Sequence, residues 1–182
     1  MQLLRSPAAD AVEFLRLVEE LATHHRRVRA AAARLCDLLG VPYTRDLDVA
    51  AGLHDLGKLP LLHVVSSPRS LLPSEWDLLR LHPLASAILL QAAGLEGAAR
   101  IAAAHHEHWD GAGYPNGLAR EEIPLPARVL AGADTLAALM EPRPYRRAHQ
   151  NPTEELRRAA GRQLDPEVAR AALYIVRQAE RP

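Results

Sequence analysis

The sequence predicts an all-α fold, and three observations carry that prediction. Ala and Leu dominate while Val, Ile, Thr and aromatic residues are sparse, a balance that favours helices because straight side chains lose little rotamer freedom there. No stretch alternates apolar and polar residues convincingly, as a half-buried strand would. Helix punctuation is dense, with capping side chains placed before prolines and glycines placed after apolar runs.

Taken in order, Ser6-Pro7 opens a long helical pattern that Gly40 closes. A second helix is expected from about Asp46 to Leu56, stopped by Gly57. Two more run from Pro73 to Leu81 and from Pro83 to Ala93, the latter stopped by Gly94. The next runs from Leu95 to about His108 and stops at Gly111, and another from Pro126 to Met140, ahead of the Pro142/Pro144 pair. Asn151-Pro152 and Asp165-Pro166 open the last two. The longest irregular stretch, Trp109 to Leu125, is long enough to be a functional loop. With 182 residues, 48 % of them hydrophobic, and no repeat or linker, the chain reads as one domain, residues 1–182, with residues 1–10 expected to be a flexible or linker segment.

Composition excludes several classes. The 22 basic residues balance the 22 acidic ones, so bulk electrostatics favours neither a nucleic acid polymer nor an anionic membrane surface. Any anionic ligand must be held locally. The single cysteine, Cys36, lies in an apolar helical pattern and reads as a buried structural thiol, which excludes disulfide scaffolds and Cys-rich zinc modules. No run of eighteen apolar residues occurs, and Arg5, Asp10 and Glu13 stand where a signal peptide needs apolar residues, so a cytoplasmic location is expected.

Candidate chemistry concentrates in "AAHHEHWDGAGYPNGL", residues 103 to 118, where His105 and His106 follow a small-residue run and precede a glycine-rich loop. His54-Asp55 follows apolar Val49, Ala50 and Leu53 and is expected to face inward, where a charge needs a partner or a metal. Glu20 and His24, four residues apart, share a helix face at ligand spacing, while His25 is expected to point elsewhere, into solvent. His82 precedes Pro83 at a helix junction, and Asp134 sits in the apolar run "VLAGADTLAAL". Each has a bland reading by itself: a capping or core histidine, a hydrogen-bonded buried acid. Jointly they form an oxygen and nitrogen ligand set too large for one ion and without thiolate, which suits two or more of iron, manganese or zinc. Two ions bridged by a carboxylate are suited to hydrolysing a phosphate ester. Trp76 and Trp109 read as packed at helix ends, and His108 as no ligand.

With these residues laid out, the chain resembles the HD-GYP family, the HD-type metal-dependent phosphohydrolases that degrade cyclic di-GMP. The resemblance rests on "EELATHHRRV" (19 to 28), "HDLGK" (54 to 58), "LHP" (81 to 83), "HHEHWDGAGYPNGL" (105 to 118), "IPLPARVLAGAD" (123 to 134) and "RPYR" (143 to 146). It implies an HD-domain helical bundle with additional C-terminal helices. It also implies His24, His54, Asp55, His82, His105, His106 and Asp134 as metal ligands, with Asp55 the bridge and Glu20 an additional carboxylate ligand where three metals are held. The cofactors implied are two or three divalent ions, Fe(II) or Mn(II). Lys58 would contact the scissile phosphate, and Gly113, Tyr114, Arg143 and Arg146 would line the substrate pocket. The implied reaction is hydrolysis of cyclic di-GMP by a metal-bound hydroxide to linear pGpG, with a second cleavage to GMP allowed.

The chain departs from the pattern in two places. Ala137 replaces an aspartate usual three residues after the metal aspartate, and "HVVSSPRSLLPSEW" (63 to 76) lacks a common lysine and reads as a lid or an ordinary surface loop. Two alternatives therefore stay open. One is hydrolysis of another cyclic dinucleotide such as cyclic GMP-AMP. The other is a non-catalytic receptor whose Gly-Tyr-Pro loop binds ligand or a diguanylate cyclase (GGDEF) domain. The complete ligand set favours catalysis.

Overall fold

The computed structural model describes residues 7–67, 69–140 and 151–180. These form nine α-helices: α1 (Pro7–Leu39), α2 (Arg45–Leu53), α3 (Leu62–Val65), α4 (Pro73–Leu79), α5 (His82–Ala92), α6 (Glu96–Ala103), α7 (Leu125–Met140), α8 (Pro152–Ala159) and α9 (Pro166–Ala179). Short 3₁₀ turns occupy Leu56–Leu61 and Arg120–Glu122. Among the described residues there is no strand, only an isolated bridge between Ala160 and Leu164, so the all-α prediction holds.

Helix starts follow the capping chemistry. Thr44 accepts from the Leu47 amide at 3.2 Å, Asn151 from Thr153 at 2.9 Å and Asp165 from Glu167 at 2.8 Å, each satisfying an amide that the first turn leaves orphaned. Helix α1 begins at Pro7, so it includes residues 7–10 of the expected linker segment, whose first six residues lie outside the described ones, and it ends where Gly40 turns left-handed at φ +66°.

Two helix ends differ from the prediction for tertiary reasons. Helix α2 stops at Leu53, and Gly57, expected to terminate it, lies buried inside the following 3₁₀ turn. A Cβ on Gly57 would stand 2.3 Å from the His82 carbonyl oxygen and 2.8 Å from the Ala85 Cβ, so glycine here allows a close approach to α5. The Gly57 amide donates to Ser86 Oγ at 2.9 Å, locking that approach. Helix α6 stops at Ala103, well short of His108. The amides of Trp109 and Asp110 donate instead to the carbonyls of Gln163 and Arg162, at 3.2 and 2.9 Å, tying the loop to the α8–α9 connection.

Helices α1 and α7 pack along one another, with α2 and α6 on one flank and α9 on the other. Their shared core runs through Val28, Ala32 and Leu35 of α1, Leu130, Ala133 and Leu136 of α7, and Val168 and Ala172 of α9. Cys36 belongs to this core at 1 % exposure, where burial first and Asp37 second push its thiol pKa up, as a structural thiol requires. Among the described residues, no helix is long and apolar enough to cross a membrane.

Candidate metal centre

Five segments converge at one end of this core. Helix α1 supplies His24 and His25 from its middle, the turn after α2 supplies His54 and Asp55, and α5 supplies His82 as its first residue. The turn after α6 supplies His105 and His106, and α7 supplies Asp134. His54, Asp55, His82 and His105 are each no more than 2 % exposed.

Backbone carbonyls fix three of the rings. The Nδ1 atoms of His54, His82 and His105 donate to the carbonyls of Ala51, Leu79 and Ala102, three residues earlier in each case, at 3.2, 2.7 and 2.6 Å. Because a carbonyl can only accept, the proton of each neutral ring sits on Nδ1 and the Nε2 lone pair faces the centre. Asp55 joins these lone pairs, with Oδ1 3.2 Å from His82 Nε2 and 3.8 Å from His105 Nε2, and Oδ2 3.5 Å from His54 Nε2. Lys58 Nζ donates to Asp55 Oδ2 at 2.6 Å. On the α1 side, His24 Nε2 donates to Asp134 Oδ1 at 2.9 Å.

These donors form two groups with a ligand atom per residue close enough to share an ion: Asp55, His82, His105 and His106, and His24, His54 and Asp134. Their chemistry fits divalent cations. His54 Nε2 and Asp55 Oδ1 are buried without a hydrogen-bond partner, a costly condition that a bound cation relieves. His82 Nε2 and His105 Nε2 lie 3.4 Å apart, so with both rings neutral two lone pairs oppose each other with no proton between them. Burial, chiefly, lowers the pKa of His54, takes His105 well below its usual value and brings His106 to about 3, keeping the rings in the form that coordinates metal. Burial would raise the Asp55 carboxyl, but His54 and Lys58 outweigh it and hold the pKa well below the usual range.

The remaining site expectations have mixed outcomes. Glu20 lies on the exposed face of α1, accepts from Arg16 Nη1 at 2.7 Å, and belongs to none of the ligand groups. His25, expected in solvent, is instead buried at 7 % exposure, with its ring 5.0 Å from that of His54. Arg143 and Arg146 lie outside the described residues. Tyr114 stacks on His106 with ring centroids 5.0 Å apart, and its peptide bond to Pro115 is cis. Burial first, then Asp55, pushes the Tyr114 hydroxyl pKa up to about 12. A Cβ on Gly113 would meet the His108 amide nitrogen at 2.2 Å, so the glycine lets the loop fold back onto the ligand turn.

Two residues, Glu107 and Arg80, escaped the sequence reading, and a third, Trp76, differs from it. Glu107, 2 % exposed, accepts from the amides of Asn116 and Leu118 at 2.7 and 3.0 Å and clamps the Gly-Tyr-Pro loop. Its signal was present: an acid inside a ligand motif, followed by a loop rich in unpaired amides. Arg80 holds its guanidinium 5.9 Å from the Tyr114 ring centroid and had no sequence signal. Trp76, expected to pack at a helix end, remains half exposed and lines an open groove with Leu71, Pro73, Asp77 and Arg80. In the 63–76 segment, α3 and a forked Arg69–Glu75 ion pair, with contacts of 2.6 and 2.7 Å, supply local order.

Residues 13–168 match the HD domain family. The chain belongs to that family. This HD domain is 31 % identical to a cyclic di-GMP phosphodiesterase of Thermotoga maritima over 93 % of the chain and 50 % of that protein. It is 32 % identical to a 3'3'-cGAMP-specific phosphodiesterase 2 of Vibrio cholerae over 85 % of the chain and 31 % of that protein. The HD domain thus spans half or less of the length of these curated relatives. Among solved structures, it superposes on an HDG"Y"P protein from Bdellovibrio bacteriovorus with a TM-score of 0.68 at 21 % identity, covering 86 % of the chain and 52 % of that protein. The helical bundle is therefore of the HD-GYP type.

The buried rings also set a dependence on pH. Burial, followed by His54, lowers the His25 pKa from 6.5 to about 4, and His106 lies at about 3. Between those values and 6.5 the unfolded chain binds more protons than the folded one, so stability falls as the pH falls through that window. Above 6.5 these rings are neutral in both states and contribute no slope. The Asp55 and Asp134 carboxyls, both held below the usual range, add their own loss at lower pH. Thermal unfolding of the metal-free domain is expected to shift to lower temperature between about pH 6.5 and about pH 4, by a few kcal/mol in all. A melting temperature constant across that range would contradict the account.

Proposed function

We propose that this HD domain is a phosphodiesterase that hydrolyses cyclic di-GMP to linear pGpG, with a second cleavage to GMP allowed, using two or three divalent ions, iron(II) or manganese(II). The observation that carries the reading is Asp55. Its two oxygens face different partners, His82 and His105 on one side and His54 and Lys58 on the other, so the one carboxylate would help to hold divalent ions together with the histidines on either side of it.

Bound divalent ions would supply activation of water at neutral pH and stabilisation of the charge that develops on phosphorus. The chain's own residues supply placement. His54, His82 and His105 arrive with their lone pairs already aimed, so no ring has to turn on binding. Lys58, whose side chain is 23 % exposed, sits between the centre and solvent, where its ammonium can meet a phosphoryl oxygen. Tyr114 keeps its hydroxyl proton at physiological pH and can donate a hydrogen bond to substrate. Gly113 brings that loop close and Arg80 offers a cation beside the Tyr114 ring, while Arg143 and Arg146 would, by the family resemblance alone, offer further phosphate-binding forks. In the reaction, water adds hydroxyl to phosphorus, and the sugar oxygen leaves with the proton.

Ala137, buried at 4 % exposure one turn beyond Asp134, offers a methyl group where the HD-GYP pattern has a carboxylate. Cyclic GMP-AMP is therefore retained as a second substrate to test. Docking of a diguanylate cyclase domain on the Gly-Tyr-Pro loop belongs to the receptor reading, and the gathering of His24, His54, Asp55, His82, His105, His106 and Asp134 into ligand groups favours catalysis over it.

The test is an anaerobic assay of the protein loaded with iron(II) or manganese(II), against both dinucleotides, with chromatographic product detection and metal analysis of the same sample. Metal-dependent release of pGpG or GMP from cyclic di-GMP is expected. A metal-loaded protein that leaves both dinucleotides intact would overturn the enzyme in favour of the receptor.

A further inference from the structure

Helix α1 brings two adjacent histidines to the centre, and only one of them has a partner there among the expected ligands. His24 is engaged with Asp134. His25 is 93 % buried by its 7 % exposure, and its Nε2 has no hydrogen-bond partner. Its ring centroid lies 5.0 Å from that of His54, and one ligand atom each from His25, His54 and Asp55 fall within 4.8 Å of one another. All three residues of this group are buried, and two of its polar atoms besides His25 Nε2, namely His54 Nε2 and Asp55 Oδ1, are likewise unpartnered. Buried polar atoms without a partner are rare in a folded protein, and here three residues of one possible ligand group each carry one. Glu20, one turn before His24, is by contrast exposed and held by Arg16.

We infer that His25 is a metal ligand of this chain, its Nε2 joining His54 and Asp55 at the α1 side of the centre in the place expected of Glu20. The inference deepens the proposed metal-dependent activity and rests on it. Replacing a carboxylate by an imidazole at this position makes the group richer in nitrogen and less negative, which shifts preference towards iron, cobalt and zinc and away from magnesium and calcium.

Anaerobic titration of the metal-free protein with cobalt(II), read by visible absorption, metal analysis and chelator competition, tests it on four proteins: wild type, His25→Leu, His25→Ala and Glu20→Gln. Wild type and Glu20→Gln are expected to bind the same number of equivalents with the same spectrum. Both His25 variants should lose one equivalent, or bind their weakest one about tenfold or more less tightly, with altered absorption bands. The metal-free His25→Leu protein should melt no lower than wild type, since it loses an unpartnered polar atom rather than a bond. Unchanged equivalents, affinity and spectrum in both His25 variants would overturn the inference, as would loss of an equivalent in Glu20→Gln alone. Wild type that takes up no cobalt would instead sink the metal centre itself, a result separate from either of these.

Discussion

Asp55→Ala is expected to abolish phosphodiesterase activity and to remove at least one metal equivalent while leaving the helical bundle folded. The carboxylate is 2 % exposed and lies within 3.8 Å of three imidazole nitrogens and the Lys58 ammonium, so it joins the whole cluster. Its removal leaves His54, His82, His105 and Lys58 gathered with Asp134, 3.9 Å from His54, as the remaining carboxylate of the ligand groups, which weakens both metal affinity and the hold on Lys58. The rate loss should exceed about a thousandfold, since the group serves both sides of the centre. Asp55→Asn separates charge from shape: it should fold like wild type and fail like Asp55→Ala. Metal analysis and product chromatography on one preparation read both quantities, and retention of activity together with full metal content would sink the assignment of Asp55.

Glu107→Ala is expected to lower activity about a hundredfold through the substrate loop, with metal content unchanged. Its buried carboxylate accepts two amides, those of Asn116 and Leu118, on opposite sides of the glycine at 117. Losing both charged hydrogen bonds should cost roughly 3 kcal/mol of stability and let Tyr114 drift from its stack on His106. KM should rise as kcat falls, because the loop places substrate rather than holding metal. Glu107→Gln keeps one acceptor and should recover part of the loss. A Glu107→Ala protein that loses metal in proportion to activity would make the residue a support of the ligands rather than of the loop.

The parts of this molecule that could be read from sequence are those decided by near neighbours in the chain. Asn151 and Asp165 mark helix starts because each side chain caps an amide two residues on. His54, Asp55, His105 and Asp134 stood out because polar side chains in apolar runs need a reason to be there. Helix ends were less legible, since Gly57 answers to a carbonyl on α5 and the amides of Trp109 and Asp110 to carbonyls beyond α8. His25 was misplaced for a geometric reason. Adjacent helical residues point about 100° apart, but the turn carrying His54 and Asp55 is broad enough to meet both. Glu20 shares the correct face of α1 and sits a turn too far towards its exposed end.

The carbonyl bonds to His54, His82 and His105 carry a final consequence. Rings fixed by the backbone are ordered when the chain folds, so the entropy of arranging them is charged to folding and not to metal uptake. The receptacle is then formed by folding itself, with the His82 and His105 lone pairs already facing each other 3.4 Å apart. Ions bound there as proposed would stabilise the folded chain over the unfolded one, so the supply of metal would govern how long the protein survives as well as how fast it works.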